Sequence, residues 1–146
     1  LPASLSPEAR AMFQRHKERF SENVPDDLDT FLSASPANLP CPAEECCVYL
    51  GEELVALSFL DLGQNSTSAV YGMFEPAHSE RSLGIFTMLK EIEHTQSRGS
   101  RYYYPGYATL EPSAYDYKKQ LRGLEVLDWQ TGLWDDCARK INRDTP

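Results

Sequence analysis

The residue types that carry chemistry in this chain gather between positions 68 and 99. Ala69, Val70, Tyr71, Met73 and Phe74 suit a pleated strand, and Glu75-Pro76 stops it. A polar turn follows with Arg81, Ser82, Leu83 and Gly84, and Ser79 or Ser82 is placed to cap a helix N-terminus. The first N–H groups of a helix point outward unpaired, and the helix dipole favours an anion beside them. A guanidinium and a glycine at such a start fit a phosphate-bearing ligand. An ordinary strand–helix connection would look the same: Arg81 would pair with a surface acid, Gly84 would permit close packing, and Glu75 would be a solvated strand-end carboxylate.

The elements that must position this turn follow from periodicity. Ile85, Met88, Leu89 and Ile92 fall at i, i+3, i+4 and i+7, which predicts a helix with one apolar face. Gly99 ends it, with Arg98 in the last turn. Upstream, Ser6-Pro7-Glu8 starts a helix running to Phe20, with Met12, Phe13, His16 and Phe20 along one side. His16 reads as a packed, hydrogen-bonded histidine, whereas His78 and His94 read as exposed. A second short helix is expected over 26–32, then a Ser/Ala/Asn/Pro loop over 33–42. Residues 46–50 and 54–60 flank Gly51-Glu52-Glu53 as a β-hairpin, and the apolar run 54–60 marks its second strand as central. Tyr102, Tyr103 and Tyr104 form a strand broken by Pro105-Gly106, whose later half should splay from its neighbour. A short helix over 113–121, a strand over 124–129 and a last helical turn over 135–141 complete the order. Antiparallel strands followed by a strand–helix–strand crossover demand a mixed sheet flanked by helices, an α/β layer domain over 1–146.

Composition narrows the function classes. A chain of 146 residues, 41% hydrophobic and 25% charged, suits one soluble globular domain. Its net charge of −8 argues against broad electrostatic binding to nucleic acid, although a local basic patch remains compatible. No apolar run approaches the roughly 20 residues of a membrane helix, and no signal peptide is legible. The chain opens without Met, which points to residues missing upstream. Cys41, Cys46, Cys47 and Cys137 lack zinc-ribbon spacing, so thiols in a reducing compartment are expected and no metal site is. No Ser-His-Asp set, Cys-His pair or glycosidase-like pair of carboxylates is legible.

Taken together, Asp61, Ser68-Ala69-Val70-Tyr71, Phe74-Glu75-Pro76, Arg81-Ser82-Leu83-Gly84, Ile92-Glu93, Tyr104, Gly106-Tyr107 and Tyr117-Lys118 resemble the C-terminal domain of arginyl-tRNA–protein transferases and their bacterial leucyl-transferring relatives. The resemblance covers roughly residues 10–134. It implies an N-acetyltransferase-like (GNAT) fold, in agreement with the element order above. It also implies transfer of an amino acid from the 3′ end of an aminoacyl-tRNA to the N-terminal amine of an acceptor protein in the cytoplasm, with no cofactor. On this resemblance the turn Arg81, Ser82, Leu83 and Gly84 holds the terminal phosphate or adenosine of the donor. Glu75, Asp61 and Tyr107 are then the candidate catalytic groups, Tyr71 and Tyr104 line the cleft, and Tyr117 and Lys118 reach the donor.

The chain departs from the family's pattern in places. Pro105-Gly106-Tyr107-Ala108 stands for Leu-Gly-Tyr-Trp, Glu75 for the aspartate before proline, and Ser113-Ala114-Tyr115-Asp116 for the residues before Tyr-Lys. The family's cysteine-bearing N-terminal module is not in this chain. Two other readings stay open: an acyl-CoA-dependent N-acyltransferase on the same fold, and a non-catalytic binding domain. The first is weakened because Arg81-Ser82-Leu83-Gly84-Ile85-Phe86 lacks the second small residue of that fold's usual phosphate loop.

Overall fold

A computed structural model describes residues 1–21, 24–108, 112–113 and 115–139. Backbone contacts group them into two compact units, Leu1–Gly106 and Tyr107–Pro146. The first unit opens with helix α1 (Pro7–Lys17), whose N-cap Ser6 accepts from the Ala9 N–H. Three long strands follow: β1 (Ala43–Leu50), β2 (Glu53–Leu62) and β3 (Ser66–Phe74). Helix α2 (Leu83–Ser97) and the short strand β4 (Tyr102–Tyr104) complete the unit. The sheet order is β1-β2-β3-β4, with the first two pairings antiparallel and β3–β4 parallel. This is the expected α/β mixed sheet flanked by helices, consistent with a GNAT-like fold.

Gly51, at φ 64°, turns β1 into β2. The central strand β2 is buried continuously from Val55 to Leu60, as its apolar run requires. On one face, Leu57, Phe59 and Met73 pack with Ala9, Met12 and Phe13 of α1 and with Leu28 and Leu32. On the other, Val55 and Ala56 pack with Leu83 of α2, alongside Val48 and Phe74. Each such large side chain, fully buried, contributes about 1.5–3 kcal/mol of transfer free energy.

Several expectations are corrected. The helix expected over 26–32 is a single 3₁₀ turn, Leu28–Thr30, started by the Asp27 carboxylate accepting from the Asp29 N–H. The face that α2 buries is Leu83, Thr87, Met88, Glu91 and Thr95, while Ile85 and Leu89 stay exposed. The apolar periodicity located the helix but not its rotation, because the sheet accepts small polar side chains that hydrogen-bond inward. Thr67 and Thr95 do so, with their hydroxyls 2.5 Å apart. His78 and His94 face Glu53 at 3.4 Å and Glu44 at 2.6 Å.

The second unit contains a 3₁₀ turn, Asp116–Gln120, and a hairpin of β5 (Glu125–Leu127) and β6 (Trp134–Asp136). Asp128 closes the hairpin turn by accepting from the Gln130 and Thr131 N–H groups. A strand stands at 134–136 and the chain turns helical at 137–139, so the helical turn expected over 135–141 is present but starts two residues later; positions 140–141 of that expectation lie outside the described residues. The helix expected over 113–121 is reduced to the 3₁₀ turn, and its position 114 also lies outside them.

Candidate functional site

The site is built where β3 outruns β4. The two strands pair over only three positions, from Ser66 with Tyr102 to Ser68 with Tyr104. Pro105 cannot donate to a further ladder bond, and Gly106 at φ 82° turns the chain away. The splay expected from Pro105-Gly106 is therefore present. Beyond Ser68, β3 continues for six more residues, for which the described residues supply no further strand on the β4 side. On its other edge β3 carries a bulge: Phe59 faces Tyr71 while the next residue, Leu60, faces Ala69, so Val70 is the extra residue. A bulge bends the strand and re-aims its amides. Backbone N–H groups on an open, bent edge are suited to receive a developing oxyanion.

At the far end of this edge, α1 supplies the missing partner. His16 Nδ1 lies 3.1 Å from both the N and the O of Phe74, so the ring accepts from one or donates to the other. The ring is buried and packs edge-on against Phe74 at 4.8 Å. Burial pushes the His16 pKa down, the Phe74 backbone bond acts against this, and Arg19 adds to the depression. The imidazole is thus held neutral. The preceding residue on α1, Arg15, forms a two-pronged ion pair with Glu75, at 2.8 and 2.5 Å. Both Glu75 oxygens are engaged, and its carboxylate raises the Arg15 pKa.

The chain then passes through a 3₁₀ turn, Pro76–Arg81, into α2. Ser82 marks the junction with φ 53° and ψ 39°, a left-handed conformation unusual for a residue with a Cβ. Its side chain makes no cap hydrogen bond, which corrects the expectation of a serine cap; its carbonyl instead accepts from Ile85 and Phe86. The Leu83 and Gly84 amides lie ahead of those first helical bonds. The Arg81 side chain is 52% exposed and only 3.9 Å from its neighbour Glu80, a weak pairing. Gly84 rests against Phe74; a Cβ there would meet Phe74 Cε1 at 3.8 Å, an ordinary contact. Leu83 is buried in the core, so its side chain takes no part in the surface of the turn.

Of the residues singled out, Glu75, Arg81, Ser82, Leu83 and Gly84 follow one another through the turn after β3, while the Glu75 carboxylate itself lies in a recess lined by Arg15, Tyr49, Glu52 and Glu53. Tyr104 stands at the divergence itself, half exposed. Tyr71 turns toward α1 and stacks on Phe31 at 4.4 Å. Asp61 lies away from the Arg81 turn but in the row of the divergence, since Ser68 pairs with Asp61 on one side and with Tyr104 on the other. Burial raises the Asp61 pKa, against a hydrogen bond from the Cys41 thiol. Tyr107, Tyr117 and Lys118 belong to the second unit, where Lys118 Nζ donates to the Tyr107 carbonyl at 3.1 Å. The sequence reading missed Arg15 as the partner of Glu75 and the bulge at Val70. The first lies 60 residues away along the chain, and the second is set by register against β2, so neither leaves a local signal.

Comparisons with known proteins match most of the chain. The family described as arginine-tRNA-protein transferase, C terminus, matches residues 9–128. An aspartate/glutamate leucyltransferase of Acinetobacter baumannii is 37% identical over 90 residues, which is 62% of this chain and 31% of that protein. Its namesake in Acinetobacter baylyi is 37% identical over 92 residues, 63% of this chain and 32% of that protein. One from Stenotrophomonas maltophilia is 34% identical over 90 residues, 62% of this chain and 35% of that protein. The matched part of the chain thus spans about a third of the length of these relatives. With most of its length, the diverging strands and the Arg81–Gly84 turn included, inside that match, the chain belongs to the family of arginine-tRNA-protein transferase C-terminal domains.

Proposed function

We propose that this domain transfers an aminoacyl group from a charged tRNA to the N-terminal amine of an acceptor protein. The observation that carries the reading is the early end of β3–β4 pairing, which leaves a bulged, open strand edge leading to the start of α2. Family membership supplies the donor class, and the leucyltransferase relatives favour a leucyl donor and an acceptor beginning with Asp or Glu. The reaction needs little beyond orientation. The acceptor nitrogen attacks the ester carbonyl, an amide bond forms, the bond to the ribose oxygen breaks, and that oxygen takes up the proton. The ester is already activated, so no cofactor enters, and charged tRNA places the reaction in the cytoplasm.

In this reading Arg81 and the Leu83 and Gly84 amides hold the terminal phosphodiester of the donor, beside the exposed Ser82 backbone. Edge amides of β3 stabilise the oxyanion, and Tyr104 borders the ester. Glu75, oriented by Arg15, faces the acceptor ammonium. Tyr107, Tyr117 and Lys118 are assigned to the remainder of the donor. Asp61 and Tyr71 carry no step. The acyl-CoA reading is not favoured, since Phe86 occupies the position where that chemistry needs a small residue.

Transfer of labelled leucine or arginine from charged tRNA to peptides beginning with Asp or Glu tests the reading. Loss of the Arg81 guanidinium in Arg81→Ala should raise the donor KM about tenfold, the effect of one lost charge-assisted hydrogen bond. Gly84→Ala should also raise it while leaving the Tm unchanged or slightly higher, because the added methyl fits against Phe74 but blocks close approach to the amides. Absence of transfer from both donors overturns the proposal.

A further inference from the structure

Glu91 is 4% exposed, in the middle of α2, and belongs to no step described above. A carboxylate in such a place needs a partner with good geometry. It has one in Tyr103, whose hydroxyl donates to Glu91 Oε2 at 2.5 Å. Across the sheet, the Cys46 thiol on β1 faces the same carboxylate; burial, followed by the Glu91 charge, pushes that thiol's pKa up. One turn further along α2, Thr95 meets Thr67 of β3 at 2.5 Å and also donates to the Glu91 carbonyl at 2.7 Å. Both ties therefore run from the same stretch of α2 to the segment where, among the described residues, β3 and β4 are paired. Tyr103 is the middle residue of a strand with three paired positions, held otherwise at its entry by the Asn65 carbonyl, which accepts from the Arg101 and Tyr102 N–H groups. So short a parallel ladder fixes its own position weakly. The next residue, Tyr104, is the last before the strands part.

We infer that Glu91 and Tyr103 are a positioning pair: the buried carboxylate on α2 holds β4 at the point of divergence and so sets the opening between β3 and β4 that admits the donor's acyl end. The inference rests on the function proposed above. Side chains alternate along a strand, so anchoring Tyr103 toward α2 also directs Tyr102 and Tyr104 to the other face. A shift of β4 would displace Tyr104 and leave the Arg81–Gly84 turn in place. The pair therefore acts on the geometry of the ester and not on the phosphate contact.

The test uses the whole chain with charged tRNA as donor, measuring kcat, KM and Tm together with amide exchange in the absence of donor. Tyr103→Phe keeps the ring and removes the tie, and should lower kcat about tenfold with donor KM within about twofold, the reverse of Arg81→Ala. Glu91→Gln keeps an oxygen to accept the phenol and should retain kcat within about threefold, whereas Glu91→Ala should match Tyr103→Phe. Amides 102–104 should exchange faster in Tyr103→Phe while those of β2 stay protected. Unchanged exchange at 102–104, or a kcat in Tyr103→Phe within twofold of the parent, overturns the inference, as does Glu91→Gln failing as badly as Glu91→Ala. The exchange arm needs no activity, so failure of the transferase reading leaves it decisive for the tie itself.

Discussion

Phe74 has no strand beside it on the β4 side, and a histidine two helical turns into α1 takes over its backbone. His16 does this only as the neutral ring, since a cation there would be buried next to the Arg19 guanidinium, 3.5 Å from Nε2. The consequence for stability has a definite sign. The folded-state pKa of His16 lies below its unfolded value near 6.5, so the unfolded chain takes up the proton first. The contribution of neutral His16 is whole above about pH 6.5 and is lost as the pH falls through the folded pKa. Tm measured from about pH 7.5 down to 5 should therefore fall more in the parent than in His16→Gln, which keeps a donor and an acceptor but does not titrate. Equal slopes would show that the ring is not held neutral. The sequence identified His16 as a packed residue from its apolar neighbours; its partner, 58 residues away, became legible only with the sheet assembled.

At the scale of elements, α2 carries two apolar surfaces. Met88 is 6% exposed and packs inward, while Leu89 is 50% exposed. The sequence pattern treats them as equals, because both lie on the i, i+3, i+4, i+7 stripe. Their energetic weights should differ: Met88→Ala is expected to cost about 2–5 kcal/mol, the range for emptying a core site, and Leu89→Ala less than about 0.5 kcal/mol. Urea unfolding of the two variants separates them, and comparable losses would place the helix in the rotation that periodicity alone indicates. Thr87, Glu91 and Thr95 explain why the real rotation differs. They find hydrogen-bond partners in Gly84, Tyr103 and Thr67 that no helical-wheel argument contains.

For the molecule as a whole, charge is the quantity that matters. A net charge of −8 with 14 basic residues repels an RNA backbone except where cations are gathered locally. On the proposed function the turn at Arg81 takes one or two phosphates and is not a track for a duplex. Donor affinity should then vary weakly with salt, with a log–log slope of about −1 to −2, against −6 or steeper for a protein that grips many phosphates. A titration of donor KM between about 50 and 200 mM salt measures it, and a steep slope would require a broad basic surface elsewhere. Among the described residues no helix is long and apolar enough to cross a membrane.

The amino-acid sequence by itself determined where α1, α2 and the four strands of the first unit run, the central place of β2, the splay at Pro105 and the family, but not that 26–32 holds only a 3₁₀ turn. These depend on local quantities: apolar period, turn residues and short motifs read within a few neighbours. Tertiary structure alone decided the Arg15–Glu75 and Glu91–Tyr103 pairs, the bulge at Val70, the rotation of α2 and the separation of Asp61 from the Arg81 turn. Each of those depends on which distant segment lies opposite, and cross-strand register and buried hydrogen bonds are properties of two segments together, which no single stretch of chain encodes.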